Sequence, residues 1–399
     1  MENLATTKGE KREPLKRIPR IQSIDFLRAI AILIMISGHF GLWFLNGDEL
    51  SWSWWDWYGM WFGPIGAPIF LICVGFSLVF YVENKKVKFS EKEIRNAIFR
   101  RGFFIWGVGY IINLLTEPIS RLWIWNIIVL IGVSTIIAYF LLKLTIPQRV
   151  IITCILLILN PLSQLIGILT YHNIWGIWVW DPFLLHDILG HTIEIHDIWN
   201  PFSLNMVLIG TIIGTTTRNK IKEGEMSSIP KIYIIYGVLI CIFAALIDPN
   251  LRLPGVMSLI QEFEHEIHII FSTGVFLSFF GLFFWFQDIK MRNLPIMREI
   301  TYLSPLSFTI YVAHLLFAKY FVGPILSSTI GAFTLNKFVS DPFIKTIVYF
   351  FIFKSGNLIA TYSLQIITFS FTFFMWIISI FWMRFKMKYS LEWVIRKLS

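Results

Sequence analysis

Charge is scarce in this chain. Asp, Glu, Lys and Arg supply 15% of its 399 residues, where a soluble domain carries about a quarter. Hydrophobic residues make up 56%. That polar supply cannot cover a soluble globule, which excludes a cytosolic or secreted enzyme, a disordered chain and a coiled coil. Cysteine is rare as well. Cys73, Cys154 and Cys241 each lie inside an apolar run, and a disulfide needs close, facing partners, so no structural disulfide is expected. There is no P-loop, GxGxxG or CxxC pattern and no internal repeat. The paired broken helices of many inverted-repeat transporters are missing too. No cleavable signal peptide is expected: residues 1–20 are long, polar and basic, and the first apolar run continues too far.

What the chain has in abundance is apolar runs of membrane length. A span needs about 20 mostly apolar residues. Ten are expected, near 24–45, 60–82, 98–115, 122–142, 149–170, 202–217, 230–247, 267–287, 303–323 and 358–383. The stretch 344–353 is half a span and reads as a re-entrant or interfacial piece; if it crosses, the count is eleven. Of the 34 Lys and Arg, 27 fall in segments 1–20, 83–101, 143–149, 218–231, 290–298 and 384–397; six fall on the other side, and Arg28 lies within the first span. Basic loops stay cytoplasmic, so both termini are expected inside, in the plasma membrane. The net charge of +9 is then topology plus attraction to the inner leaflet, and no nucleic acid partner is implied. The expected fold is an all-α polytopic membrane bundle of about ten helices. A basic tail (1–20), a transmembrane domain (21–386) and a second basic tail (387–399) make up the domain plan.

The first span carries the densest chemistry, from Ser23-Ile-Asp25-Phe-Leu-Arg28 to Ser37-Gly-His39. Ionisable groups inside a span are costly and are functional candidates. Asp25 and Arg28, three apart, share one helix face. His39 follows Arg28 by eleven residues, about 16 Å at roughly 1.5 Å per residue, and close to three whole turns, so it shares that face. One helix thus offers a cation at the inner surface and an imidazole towards the outer half. That arrangement suits moving a group from an inner donor to an outer acceptor. The bland alternatives are an ion pair fixing the helix end and a packing hydrogen bond for the histidine. Tyr311 and His314, three apart in the ninth span, share a face and read as an interhelical hydrogen bond or as site residues.

Three outer segments are long enough to act. Residues 46–59 include Trp52, Trp54, Trp55 and Trp57; an interfacial belt or a stacking platform for sugars fits them. Residues 171–200 carry His186, His191 and His196 with acids nearby, but five-residue spacing does not bring imidazoles to one helix face, so no metal is expected. Glu264, His265 and Glu266 open the eighth span and read as a polar helix start or as acceptor-binding groups.

Several words in this order resemble a known superfamily. Arg28, ten residues, then His39 resembles the first-helix signature of the acyltransferase-3 family. Arg20-Ile-Gln-Ser-Ile-Asp25-Phe-Leu-Arg28-Ala, Gly66-Ala-Pro-Ile-Phe70-Leu-Ile-Cys-Val-Gly75-Phe-Ser77 and Arg100-Arg101-Gly resemble the catalytic domain of heparan-α-glucosaminide N-acetyltransferase and its microbial relatives. Trp125-Asn126 through Gly132, Asp197-Ile-Trp-Asn-Pro201 with Gly210, and Ser307-Phe-Thr-Ile-Tyr311-Val-Ala-His314 look like later words of the same superfamily. The resemblance covers residues 20–320. Two departures stand out: Ala29 replaces the usual Gly, and no histidine occurs between 40 and 171, where the lysosomal members place theirs.

The resemblance implies an enzyme that moves an acyl group, usually acetyl, from cytosolic acyl-CoA to an amino or hydroxyl group of an extracytoplasmic sugar or glycan. The implied catalytic set is His39, Asp25 and His314. In it His39 is general base or nucleophile and Asp25 holds Arg28. Asp25 is too far along the helix to orient His39, so the orienting acid must come from elsewhere; Glu264, Glu266 and Asp197 are the candidates. Arg28, Arg95, Arg100 and Arg101 are the cations for the phosphates of acetyl-CoA, although all could be topology anchors. Trp55, Glu264, His265 and Tyr311 are the expected acceptor contacts. Partners are the bilayer, acyl-CoA and the glycan, with a second copy of the chain admitted. The alternatives are an acyltransferase-3-type polysaccharide O-acetyltransferase and a transporter or flippase without acyl transfer.

Overall fold

The computed structural model describes residues 18–44, 63–116, 126–171, 203–247, 264–291, 295–322 and 354–398. Among them there are helices and no strands. In chain order these are α1 (Gln22–Phe44), α2 (Gly63–Lys85), α3 (Glu91–Thr116), α4 (Ile127–Leu141), α5 (Ile146–Tyr171), α6 (Leu204–Lys222), α7 (Ser228–Ile247), α8 (Glu264–Phe283, running into a π-turn Phe284–Ile289), α9 (Pro295–Thr301), α10 (Ser307–Phe317, ending in a π-turn Ala318–Val322), α11 (Lys354–Arg384) and α12 (Leu391–Leu398). A helix occupies each of the ten expected apolar stretches. Among the described residues, seven helical stretches are long and apolar enough to cross a membrane. The stretch 344–353 lies outside the described residues, as does the N-terminal tail up to residue 17.

Local chemistry explains several starts. The third span was expected from residue 98, but α3 begins at Glu91. Ser90 and Glu93 form a capping box there: the Ser90 N–H and hydroxyl donate to the Glu93 carboxylate at 2.8 and 2.7 Å. Hydropathy misses such a start, because capping turns are polar. Asn126 caps α4 by accepting from the Val129 N–H at 2.9 Å, and its amide donates to Gly109 O and Asn113 Oδ1 on α3. Gly224 follows α6 at φ +80°, a left-handed cap that glycine adopts without strain.

α1 and α2 sit at the centre: 67% and 72% of their apolar windows are buried, against 28% for α7 and 22% for α11. The outer faces of α3, α5, α7 and α11 expose Phe103, Ile151, Leu239 and Phe373, as lipid-facing helices do. α2 lies against α6 so closely that a Cβ at Gly75 would fall 1.9 Å from the Val207 carbonyl oxygen. One at Gly210 would fall 2.1 Å from that of Ile72. Small residues at such seams let backbones approach where packing, not water exclusion, drives association.

The charged ends gather on one side. The Ile18 N–H donates to Asn84 at the end of α2, Glu83 pairs with Arg218 at the end of α6, and Lys143 after α4 pairs with Glu91 at the start of α3. This is the basic end of the bundle. At the opposite end, Tyr320 and Lys319 after α10 donate to the Leu115 and Thr116 carbonyls that finish α3.

Candidate functional site

The two helices that carry candidate histidines are capped at the basic end by acids from distant parts of the chain. Asp288, in the π-turn after α8, accepts from the Gln22 and Ser23 N–H groups at 2.7 and 3.1 Å and so caps α1. Glu392, on α12, accepts from the Phe308 and Thr309 N–H groups at 2.6 and 3.0 Å and from the Thr309 hydroxyl, and so caps α10. Helix starts leave N–H groups unmet and favour negative charge. Burial pushes the Glu392 carboxyl above the usual carboxylate range, against the hydrogen bonds from Thr309 and Phe308 that pull it down. The expected C-terminal tail thus contributes α12, which docks on α10. Neither acid was legible in the sequence, because an N-cap is ordinarily sought just before its own helix.

With both helices held, His39 and His314 meet, 275 positions apart in the chain. His39 Nδ1 lies 2.9 Å from His314 Nε2, and the rings lie edge to edge, parallel within 5°, with centroids 5.2 Å apart. A contact between two ring nitrogens needs one N–H and one lone pair, so the two tautomers are linked and a proton has a direct path between the rings. Tyr311 stands edge-on to His314 at 4.8 Å and to His39 at 6.1 Å. Phe40 stands edge-on to His314 at 6.4 Å, Phe317 packs against Phe40, and Phe371 of α11 stacks on Phe317. His314 is fully buried. The partner found for His39 is therefore a second imidazole. Of the acids considered for that role, Asp197 is outside the described residues, as are the side chains of Glu264 and Glu266. The same holds for Trp55 and for the His265 side chain, although His265 itself is in the first turn of α8.

A second cluster occupies the basic end of α1. Asp25 is buried and pairs with Arg20 at 2.5 Å and with Arg28 at 3.7 Å. Ser304, in the turn before α10, donates to Asp25 at 3.1 Å. Arg28 also donates to Ser77 on α2. One turn along α2 from Ser77, the Tyr81 ring lies 5.8 Å from the Arg101 guanidinium. Arg101 makes no ion pair among the described residues, its Nε–H and the Tyr81 hydroxyl find no partner there, and Arg28 is within its electrostatic reach. Of the four expected phosphate-binding cations, the fold therefore brings Arg28 and Arg101 together. Arg95 and Arg100 stand on the exposed face of α3. Arg20, Ser77, Tyr81 and Ser304 were not singled out from the sequence. Arg20 and Ser77 lie within motifs that carry the resemblance; Tyr81 and Ser304 join the cluster through packing.

Among the described residues no group of three His, Cys, Asp or Glu is placed to hold a metal ion. The two clusters are joined by α1 itself, about 16 Å apart at 1.5 Å per residue. The arrangement pairs anion-binding donors at one end with a proton-transferring imidazole pair towards the other.

No curated protein matches the chain. The sequence model described as heparan-alpha-glucosaminide N-acetyltransferase, catalytic, matches residues 20–229, more than half of the chain. The match takes in α1 to α6, with Asp25, Arg28, His39 and Arg101; His314 and both capping acids lie beyond it. With a helical membrane bundle around those residues, the chain belongs to the heparan-α-glucosaminide N-acetyltransferase catalytic family, and so is a membrane transferase.

Proposed function

We propose that this protein moves an acetyl group from cytosolic acetyl-CoA to an amino or hydroxyl group of a sugar or glycan on the outer side of the plasma membrane. The observation that carries the reading is the 2.9 Å His39–His314 contact at the far end of a helix whose near end carries Arg28. Acyl-CoA has the complementary shape: phosphates at one end of a long thin arm and the reactive thioester at the other. Arg28 and Arg101 hold the phosphates through charge-assisted hydrogen bonds, with Ser77 and Tyr81 beside them. Asp25 fixes the Arg28 side chain.

At the imidazole pair, His39 takes the acceptor's proton and His314 holds the tautomer that leaves a lone pair free for it. The thioester C–S bond breaks, and an acyl C–N or C–O bond forms. The proton removed from the acceptor ends on the departing thiolate as CoA-SH. Transfer by way of an acyl-imidazole on His39 has the same balance, with the C–S bond exchanged first for an acyl–nitrogen bond. Glu264, His265, Trp55 and Tyr311 are proposed to line the acceptor side.

The topology that goes with this has ten spans with both termini cytoplasmic. The core domain is 21–386, flanked by the two basic segments. It is supported by the gathering of Lys and Arg at one end of the bundle. Labelling of Ser227→Cys in a Cys154→Ser background tests it: reaction with an impermeant reagent from outside intact cells would reverse the orientation.

The reaction is tested with purified protein in liposomes given radiolabelled acetyl-CoA and a mixed amino-sugar pool. Label is expected in the acceptor, or as slow hydrolysis in its absence, and both should vanish in His39→Ala. Amide or ester product separates N- from O-transfer. Passage of solute with no acetyl-CoA consumed would replace this reading with a transporter.

A further inference from the structure

A second cationic site lies on the far side of α2 from Ser77 and Tyr81. Residues two apart on a helix point about 200° apart, so Val79 and Glu83 face away from the Arg28–Arg101 cluster. There a cavity of about 230 Å³ opens between α2, the α4–α5 turn and α6, with Glu83, Lys86, Thr145, Arg149, Thr215 and Arg218 as its charged and hydroxyl-bearing wall. It sits at the basic end of the bundle.

The charges on this wall do not balance. Glu83 is its one carboxylate, and that carboxylate is taken up by Arg218 at 3.3 Å, Lys86 at 4.0 Å and Lys222. Arg149 is 2% exposed and has no ion pair among the described residues. One guanidinium nitrogen donates to the Thr211 carbonyl at 3.1 Å and the Thr215 hydroxyl at 3.0 Å. Its Nε–H meets no acceptor there. A buried charge is costly unless paired, and buried donors are nearly always met. The first residues of α5 form the adjacent wall, and the positive end of a helix adds to the preference for an anion. Three cations against one committed carboxylate fit a multiply charged oxyanion, although the Thr145 and Thr215 hydroxyls already donate to Gln148 and to the Thr211 carbonyl. The volume is below the roughly 300–1,000 Å³ of a drug-sized pocket, so it suits a phosphate group with little attached.

We propose that this cavity binds a phosphoryl group, separately from the acyl-donor cluster. The phosphoryl group belongs either to an anionic lipid headgroup, which the exposed apolar face of α5 would accommodate, or to a soluble phosphate ester. The shared recognition is by Arg149, Arg218 and Lys86.

The test uses the full chain in phosphate-free maltoside micelles without acetyl-CoA. In one arm inorganic pyrophosphate is titrated at constant ionic strength while thermal unfolding is followed by tryptophan fluorescence. In the other, native mass spectrometry measures retention of phosphatidylglycerol against uncharged diacylglycerol. A saturable rise in unfolding temperature assigns a soluble phosphate; selective lipid retention with no pyrophosphate effect assigns the headgroup. Apparent affinity is expected to fall at least tenfold in Arg149→Met. It should also fall in Lys86→Gln, whose side chain is 55% exposed and which leaves the buried network alone. The component of binding that Arg149→Met removes should persist in Arg28→Gln, which weakens only pyrophosphate held at the acyl-donor cluster. Binding in neither arm, or binding lost in Arg28→Gln and kept in the cavity variants, would overturn the proposal.

Discussion

The two ends of α1 are held by different forces. At its basic end Asp25, Arg20, Arg28, Ser77 and Ser304 form a charged network. At its other end His39 meets His314 inside a shell of Phe40, Phe317 and Phe371. Water reaches the first cluster: the Arg28 side chain is 19% exposed. At the second, His314 is fully buried, while His39, like Arg28, is partly exposed. An open charged end suits binding and release of a large soluble anion. An end where a partly exposed imidazole backs onto a buried one suits proton transfer to and from an acceptor. The comparison teaches that one helix can serve both steps because each end borrows its partners from a different neighbour.

The largest break should come at the histidine end. His314→Ala is expected to lower the transfer rate by about 10²–10⁴-fold, the usual worth of a positioned acid–base group. Acetyl-CoA binding, measured by equilibrium dialysis, should stay within a few-fold. Equal loss of binding and rate would dissolve the distinction between the ends.

Arg28→Gln should do the converse, by a smaller amount. Removing a hydrogen bond to a charged group costs about 1.5–3 kcal/mol, so the acyl-donor KM should rise about 10–100-fold with kcat little changed. A fall in kcat at saturating donor, with KM unmoved, would place Arg28 outside the donor site.

Third in size is the seam behind the charged end. Gly210→Ala inserts a Cβ where the Ile72 carbonyl oxygen stands at 2.1 Å. Overpacking of this kind costs about 1–3 kcal/mol, and the unfolding temperature in detergent should drop accordingly. Wild-type stability would mean that α2 and α6 part easily there.

The smallest effect is expected at Glu392. Glu392→Gln keeps the side-chain shape but weakens the cap of α10, by about 0.5–2 kcal/mol. Because burial raises the Glu392 carboxyl above its unfolded value, the folded chain binds that proton more tightly. The associated stability is full below the unfolded value and is lost as pH rises through the folded one. Wild type should therefore lose unfolding temperature across that window, and Glu392→Gln should not. An identical pH profile in both chains would remove the titration from Glu392.

Much of this contrast was legible in sequence, residue by residue. Asp25, Arg28 and His39 share a face because helix geometry is local, and apolar runs set the helices to within a few residues. α3 is the instructive exception: its polar capping turn, Ser90 to Glu93, starts it seven residues before the expected 98. Tyr311 and His314 could be placed on one face, but nothing local named His39 as their neighbour. Arg28, Arg95, Arg100 and Arg101 looked alike as cations; the turn of α3 separates them, sending Arg101 inward and Arg95 and Arg100 out.

The sequence by itself determined the membrane class, the helical stretches, the basic side of the bundle and the face along α1, since hydropathy, charge and helical period are properties of short segments. Tertiary structure alone decided which imidazole meets which, which arginines share a site, and which acids cap α1 and α10. Those contacts span 275, 266 and 84 positions. They depend on how whole helices pack against one another, and no local pattern encodes that.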